Sequence, residues 1–206
     1  MTSPARGPVR GYGRPAVPAH AAKRGLSTGA IAGIVGGSLA LVLIIVAVVV
    51  VVLIYGNNTI RLTATSVAME PTIRAGQTVS ATKVDPGTYR PKRGDIVVFT
   101  APAAWIASDR DQQLVKRVIG LPGERVTCCD PQARWTINGK PLSEPYVKPG
   151  TATAGEPFDV TVPDGRLWVM GDNRTASTDS RTVFASIFDM RVATIPVSSV
   201  VAVVTV

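Results

Sequence analysis

Lys116 lies in the run Gln112-Gln113-Leu114-Val115-Lys116-Arg117-Val118-Ile119, an apolar setting that favours an unusual state of its amine. An exposed lysine with a pKa near 10.4 is neutral only about 0.04% of the time at pH 7. Burial that lowers the pKa to about 8 raises that fraction to roughly 10%, enough for a general base. Read by itself, Lys116 is first a solvated strand lysine, and the base reading depends on the other motifs below. The single histidine, His20, lies near the N-terminus, so the rest of the chain has no imidazole for a Ser-His-Asp triad, a Cys-His pair or a histidine zinc site. Two further stretches carry hydroxyls and charges at close spacing: Ser66-Val67-Ala68-Met69-Glu70-Pro71-Thr72, and Gly171-Asp172-Asn173-Arg174-Thr175-Ala176-Ser177-Thr178-Asp179-Ser180-Arg181. The only cysteines, Cys128 and Cys129, are adjacent and do not form the spaced sets of structural zinc. They read as a vicinal disulfide or as two semi-buried thiols, structural in either case. No metal and no cofactor is expected.

The elements that must position these residues are mostly strands. Val, Ile, Thr and aromatic runs recur at Thr78 to Thr82, Asp95 to Thr100, Leu114 to Ile119, Arg125 to Cys129, Trp135 to Ile137, Leu167 to Met170 and Val200 to Val206, punctuated by Gly and Pro. Asn138-Gly139 is a hairpin-turn signal, and Arg93-Gly94-Asp95 reads as a turn into the next strand. No stretch of this region carries a sustained helical period with caps. The fold class is therefore mainly β, an antiparallel sheet domain over residues 56–206. On the strand reading Arg117 points away from Lys116 and is structural.

The N-terminal part differs. The chain has 206 residues with 22 Lys and Arg against 14 Asp and Glu, a net charge of +8 that by itself would put nucleic acid among the ligands. Arg6, Arg10, Arg14, Lys23 and Arg24 supply most of that excess within the first 28 residues, which hold no acid. The charge thus belongs to a Pro-, Gly- and Ala-rich tail expected to be disordered, and no nucleic acid is implied. From Gly29 to Tyr55 there is no charge, and about 24 predominantly apolar residues would span roughly 36 Å as a helix. The run is too long for a signal-peptide core and lacks an Ala-x-Ala site after it, so the expectation is one uncleaved transmembrane helix over 29–55. Cations flank its N-terminal end, which places 1–28 in the cytoplasm and 56–206 outside the membrane, in contact with lipid at its surface.

Taken together and in this order, the three motifs resemble the type I signal peptidases, membrane serine proteases that use a Ser-Lys dyad. Arg93-Gly94-Asp95-Ile96-Val97-Val98-Phe99 is similar to that family's central strand motif. Val126-Thr127-Cys128-Cys129-Asp130 and Asn138-Gly139-Lys140-Pro141-Leu142 resemble its actinobacterial branch. The resemblance implies that Lys116 is the general base and that Ser177 hydrogen-bonds and orients it. It implies that Asp179 and Arg181 form a supporting ion pair, and that Ser66, with the backbone N–H at residue 68, forms the oxyanion hole. On a strand, Ser66 and residue 68 would share a face. Met69 and Pro71 would contact substrate, although Met69 reads equally as core. The partners implied are signal peptides of exported preproteins with small residues at the first and third positions before the cut, captured as an added strand. The oligomeric state stays open.

At one position the chain departs from the pattern Ser-x-Ser-Met-x-Pro-Thr: the nucleophile position is Ala68, which has no group to attack a carbonyl. The chain is expected to bind substrate without cleaving it. The intact remainder of the site favours an introduced Ser→Ala change over a naturally inactive homologue that acts as a binding module. A sortase-like transpeptidase would need a catalytic histidine outside the tail, and a self-cleaving repressor-type Ser-Lys protease is opposed by the span.

Overall fold

The structure, a computed structural model, describes residues 41–53, 56, 58–106, 112–151 and 157–205. The tail, His20, and residues 29–40, 54 and 55 of the expected span lie outside the described residues. Contacts divide the chain into two units, Met1–Val48 and Val49–Val206. Residues 41–53 are a helix, α1, made of Leu, Val, Ile and Ala with every side chain exposed. Among the described residues no helix is long and apolar enough to cross a membrane.

The second unit is mainly antiparallel sheet. Strands β1 (Thr59–Thr63), β2 (Thr78–Lys83), β3 (Ile96–Thr100), β4 (Gln113–Gly120), β9 (Arg166–Met170), β10 (Ile195–Pro196) and β11 (Val200–Thr205) form a seven-stranded sheet in the order β1-β2-β11-β3-β4-β9-β10. A four-stranded sheet, β7-β6-β5-β8, is built from β5 (Arg125–Cys128), β6 (Thr136–Ile137), β7 (Lys140–Pro141) and β8 (Phe158–Thr161). The expected hairpin joins β6 to β7, with Asn138 at φ 51° and Gly139 at φ 75°, the left-handed pair that a two-residue turn requires.

β3 is central because it is apolar on both faces. Val97 and Phe99 enter one core with Val118, Val169 and Val200, while Ile96 and Val98 enter another with Val79, Ala81, Ala202 and Val204. A third core joins the sheets: Ile119, Trp168 and Met170 pack against Val126, Trp135, Ile137 and Val160.

The expectation of no capped helix in this region is corrected by α2 (Ser180–Ile187) and α3 (Met190–Ala193). Asp179 N-caps α2 in a capping box, its side chain accepting from the Arg181 N–H while the Asp179 N–H donates to Thr182 Oγ1. Two turns carry too little periodicity to register as a helix, but the cap and the buried Val183 suffice in the folded chain.

Candidate active site

In the β3–β4 register Lys116 lies opposite Val97 and Arg117 opposite Ile96. Paired residues share a face and successive ones alternate, so the two cations point to opposite sides of the sheet. Lys116 is 4% exposed, and among the described residues no hydrogen bond or ion pair holds its amine. Burial strips water from the ammonium and lowers its pKa from the ordinary value; the Asp179 carboxylate opposes that shift and the Arg181 guanidinium adds to it.

Arg117 makes a fork on Asp172, with Nε to Oδ1 at 2.8 Å and Nη2 to Oδ2 at 2.6 Å, and donates from Nη1 to the Gly94 carbonyl at 2.9 Å. Thr72 Oγ1 donates to the same carboxylate at 2.5 Å. The face that holds Arg117 therefore ties the 66–72 segment to the 171–173 segment. Asn173 adds two more ties, its N–H donating to the Ala68 carbonyl at 3.0 Å and its Nδ2 to the Val67 carbonyl at 3.2 Å.

β9 pairs Met170 with Arg117, and Gly171 follows directly where the strand ends. Gly171 needs the absence of a side chain. A Cβ there would lie 2.4 Å from Ser177 Oγ and 2.6 Å from the Ala68 carbonyl oxygen. Ser177 and residue 68 thus border the same small space. Ser177 is 6% exposed and among the described residues its Oγ has no hydrogen-bond partner, so the hydrogen bond to Lys116 that the resemblance implies is not formed here. Asp179, fully buried, accepts from the Gly171 N–H at 3.1 Å and pairs with Arg181 Nη2 at 2.9 Å.

The strand expected through Ser66 and residue 68 is not found. β1 ends at Thr63, and residues 66–73 turn, with Glu70 N–H donating to the Val67 carbonyl and Ile73 N–H to the Met69 carbonyl. The shared-face argument is replaced by direct contact: the Ala68 N–H points at Ser66 Oγ, 3.4 Å away. The Glu70–Pro71 run and the Met69 anchor explain the turn, since Met69 is buried in the core with Val79 and Ile96.

Met69, Ser66 and Lys116 also line one groove, whose other walls include Leu62, Ala64, Val98 and Val115. Pro71 is exposed and is not part of this lining. The β4 edge at Gln113–Lys116 pairs with β3 on one side, while β9 pairs only from Arg117 onward. Among the described residues the other edge beside the groove is open. Cys128 and Cys129 are joined as a disulfide at the end of β5, in the sheet away from the groove.

Glu144, Tyr146, Lys148, Asp172 and Arg174 were not anticipated as contributors. Asp172 and Arg174 lie in a motif already singled out; Glu144, Tyr146 and Lys148 reveal themselves only through contacts between residues distant in sequence, such as Glu144 with Arg174.

Comparison with known proteins gives the family. The chain is 39% identical over 155 residues to a probable signal peptidase I of Mycobacterium leprae, covering 56% of this chain and 53% of that one. It is 37% identical over 155 residues to signal peptidase I of Mycobacterium tuberculosis, covering 56% and 52%. The chain thus spans about half the length of these curated relatives. A crystal structure of a signal peptidase I from Enterococcus faecalis is 32% identical, with 57% of this chain and 98% of that chain covered and a TM-score of 0.43. The family model described as signal peptidase, peptidase S26, matches residues 38–206, and the chain belongs to that family.

Proposed function

We propose that this chain is a membrane-anchored signal peptidase I with Ala68 at the nucleophile position, so that as written it binds signal peptides and leaves them uncut. The observation that carries the reading is the crowding at Gly171, which residue 68 and Ser177 both border, together with a buried Lys116 that lines one groove with Ser66 and Met69. With serine at 68, the neutral Lys116 amine takes the hydroxyl proton as the oxygen attacks the scissile carbonyl. The Ser66 hydroxyl and the N–H of residue 68 then stabilise the oxyanion. Lys116 returns the proton to the leaving amine, and water, deprotonated by the same lysine, hydrolyses the acyl-enzyme. Ser177, its hydroxyl unpartnered among the described residues before substrate binds, turns to the amine in the complex, while Asp179 and Arg181 brace the turn.

The substrate lies extended along the open edge at Gln113–Lys116, its small side chains facing the apolar groove walls. Residues 29–55 anchor the chain, with 1–28 cytoplasmic and 56–206 outside. The uncharged run, the basic tail before it and the exposed apolar side chains of 41–53 support this topology. Membrane lipid is therefore a partner along with the preprotein.

The test is turnover of a preprotein in detergent micelles. Ala68→Ser confers cleavage after small residues and the present chain only binds. An inert but folded Ala68→Ser variant would refute the assignment of residue 68 and favour the reading as a binding module.

A further inference from the structure

The segment from Leu142 to Thr151 follows β7 and has no regular structure, yet its side chains reach several parts of the site. Tyr146 lies under the Arg117 guanidinium, 4.0 Å from ring centroid to carbon. The Lys148 N–H donates to the Asp172 carbonyl at 2.9 Å, and its ammonium pairs with Glu70 at 3.0 Å. Glu144 makes the most buried contact. Its carboxylate receives Arg174 Nη1 at 3.1 Å and Nη2 at 2.5 Å, with the Arg174 side chain fully buried and the Glu144 side chain 9% exposed. The Tyr146 hydroxyl donates to the same carboxylate at 2.9 Å.

Arg174 passes this constraint on. Its Nε donates to the Gly171 carbonyl at 3.0 Å, and its own carbonyl accepts from Arg181 Nη2 at 2.9 Å. Arg181 holds Asp179, and these are the two charges that act on Lys116. A buried ion pair is a poor source of net stability compared with apolar packing, but it imposes geometry on what it joins. We propose that Glu144 is a positioning residue for the site: through Arg174 it holds the Gly171–Arg181 turn in the arrangement that keeps the Asp179–Arg181 pair near Lys116. The proposal rests on the reading of Lys116 as the base.

Charge and geometry predict opposite signs, which makes the proposal testable without turnover. Loss of a negative charge, acting through space alone, would make Lys116 easier to deprotonate. Loss of positioning loosens the turn, admits water to the amine and makes it harder to deprotonate. The experiment is NMR titration of Lys116 in the full chain in detergent micelles, using labelled lysine and assigning the signal by its loss in Lys116→Met.

Glu144→Gln is expected to raise the Lys116 pKa by about one unit, a tenfold loss of neutral amine at fixed pH. Glu144→Asp, which keeps the charge on a shorter arm, gives a smaller rise and decides the matter if Glu144→Gln does not fold. Arg125→Ala, which removes an exposed ion pair to Asp159 in the four-stranded sheet, leaves the titration unchanged. An unchanged or lowered pKa in the Glu144 variants, or an equal rise in Arg125→Ala, would overturn the proposal. The cleavage test of Ala68→Ser reads a different quantity, so the two readings can fail separately.

Discussion

Lys116 and Arg117 are neighbours on β4, yet the two faces of that strand treat their cations differently. Arg117 meets a carboxylate fork, a carbonyl and a tyrosine ring, all within hydrogen-bonding or stacking reach. Lys116 meets burial without a direct partner among the described residues, and its two charged neighbours, Asp179 and Arg181, oppose each other. The first arrangement fixes a permanent charge and uses it to join segments. The second makes protonation costly, which is the state a proton acceptor requires. A paired guanidinium could not serve as the base, and an unpaired one could not brace the 66–72 and 171–173 segments.

Breaking each face in turn should separate chemistry from architecture. The largest effect is on catalysis: in the Ala68→Ser background, Lys116→Met lowers turnover on the order of 10⁶-fold. Thermal unfolding shows no loss of stability, because the substitution removes a poorly solvated cation. Arg117→Met has the reverse signature. It leaves Asp172 buried without its cation and costs about 3–5 kcal/mol in a denaturant melt. The fraction that remains folded still cleaves.

A smaller effect is expected where the two faces meet. Gly171→Ala introduces a methyl group 2.4 Å from Ser177 Oγ and 2.6 Å from the Ala68 carbonyl, and the backbone oxygen cannot simply rotate away. A displacement of about 1 Å at residue 68 corresponds to roughly 10²-fold in kcat for the Ala68→Ser enzyme. Unchanged kcat in Gly171→Ala would mean that the crowded space takes no part in positioning.

The central strands were legible because β3, β4 and β11 are Val- and Ile-rich runs, and β2 and β9 are short runs of Thr, Val and aromatic or aliphatic residues, set off by turn residues. β1, with its alternating exposure and Arg61, and the four-residue β8 carried too weak a signal. α2 was missed because its helical character depends on the Asp179 cap and on packing rather than on propensity. At the site, the apolar flanks of Lys116 made its burial legible, whereas its role as base, like those of Ser66, Ser177, Asp179 and Arg181, was marked only by resemblance. The Glu144–Arg174 pair was invisible, since nothing in either local sequence announces a partner on a different element. Local pattern reports burial and turns; pairing across the fold depends on topology.

The central claim is that the fold keeps the Lys116 amine ready to accept a proton, and direct titration of that amine in the chain carrying Ala68 tests it. The account predicts an NMR inflection clearly below the ordinary lysine value of 10.5, with the neutral form growing as pH rises through it. The acid limb of Ala68→Ser turnover should follow the same direction. An inflection at or above 10.5 in the folded protein would contradict the account, because the amine would then be an ordinary ammonium and residue 68 would have no base beside it.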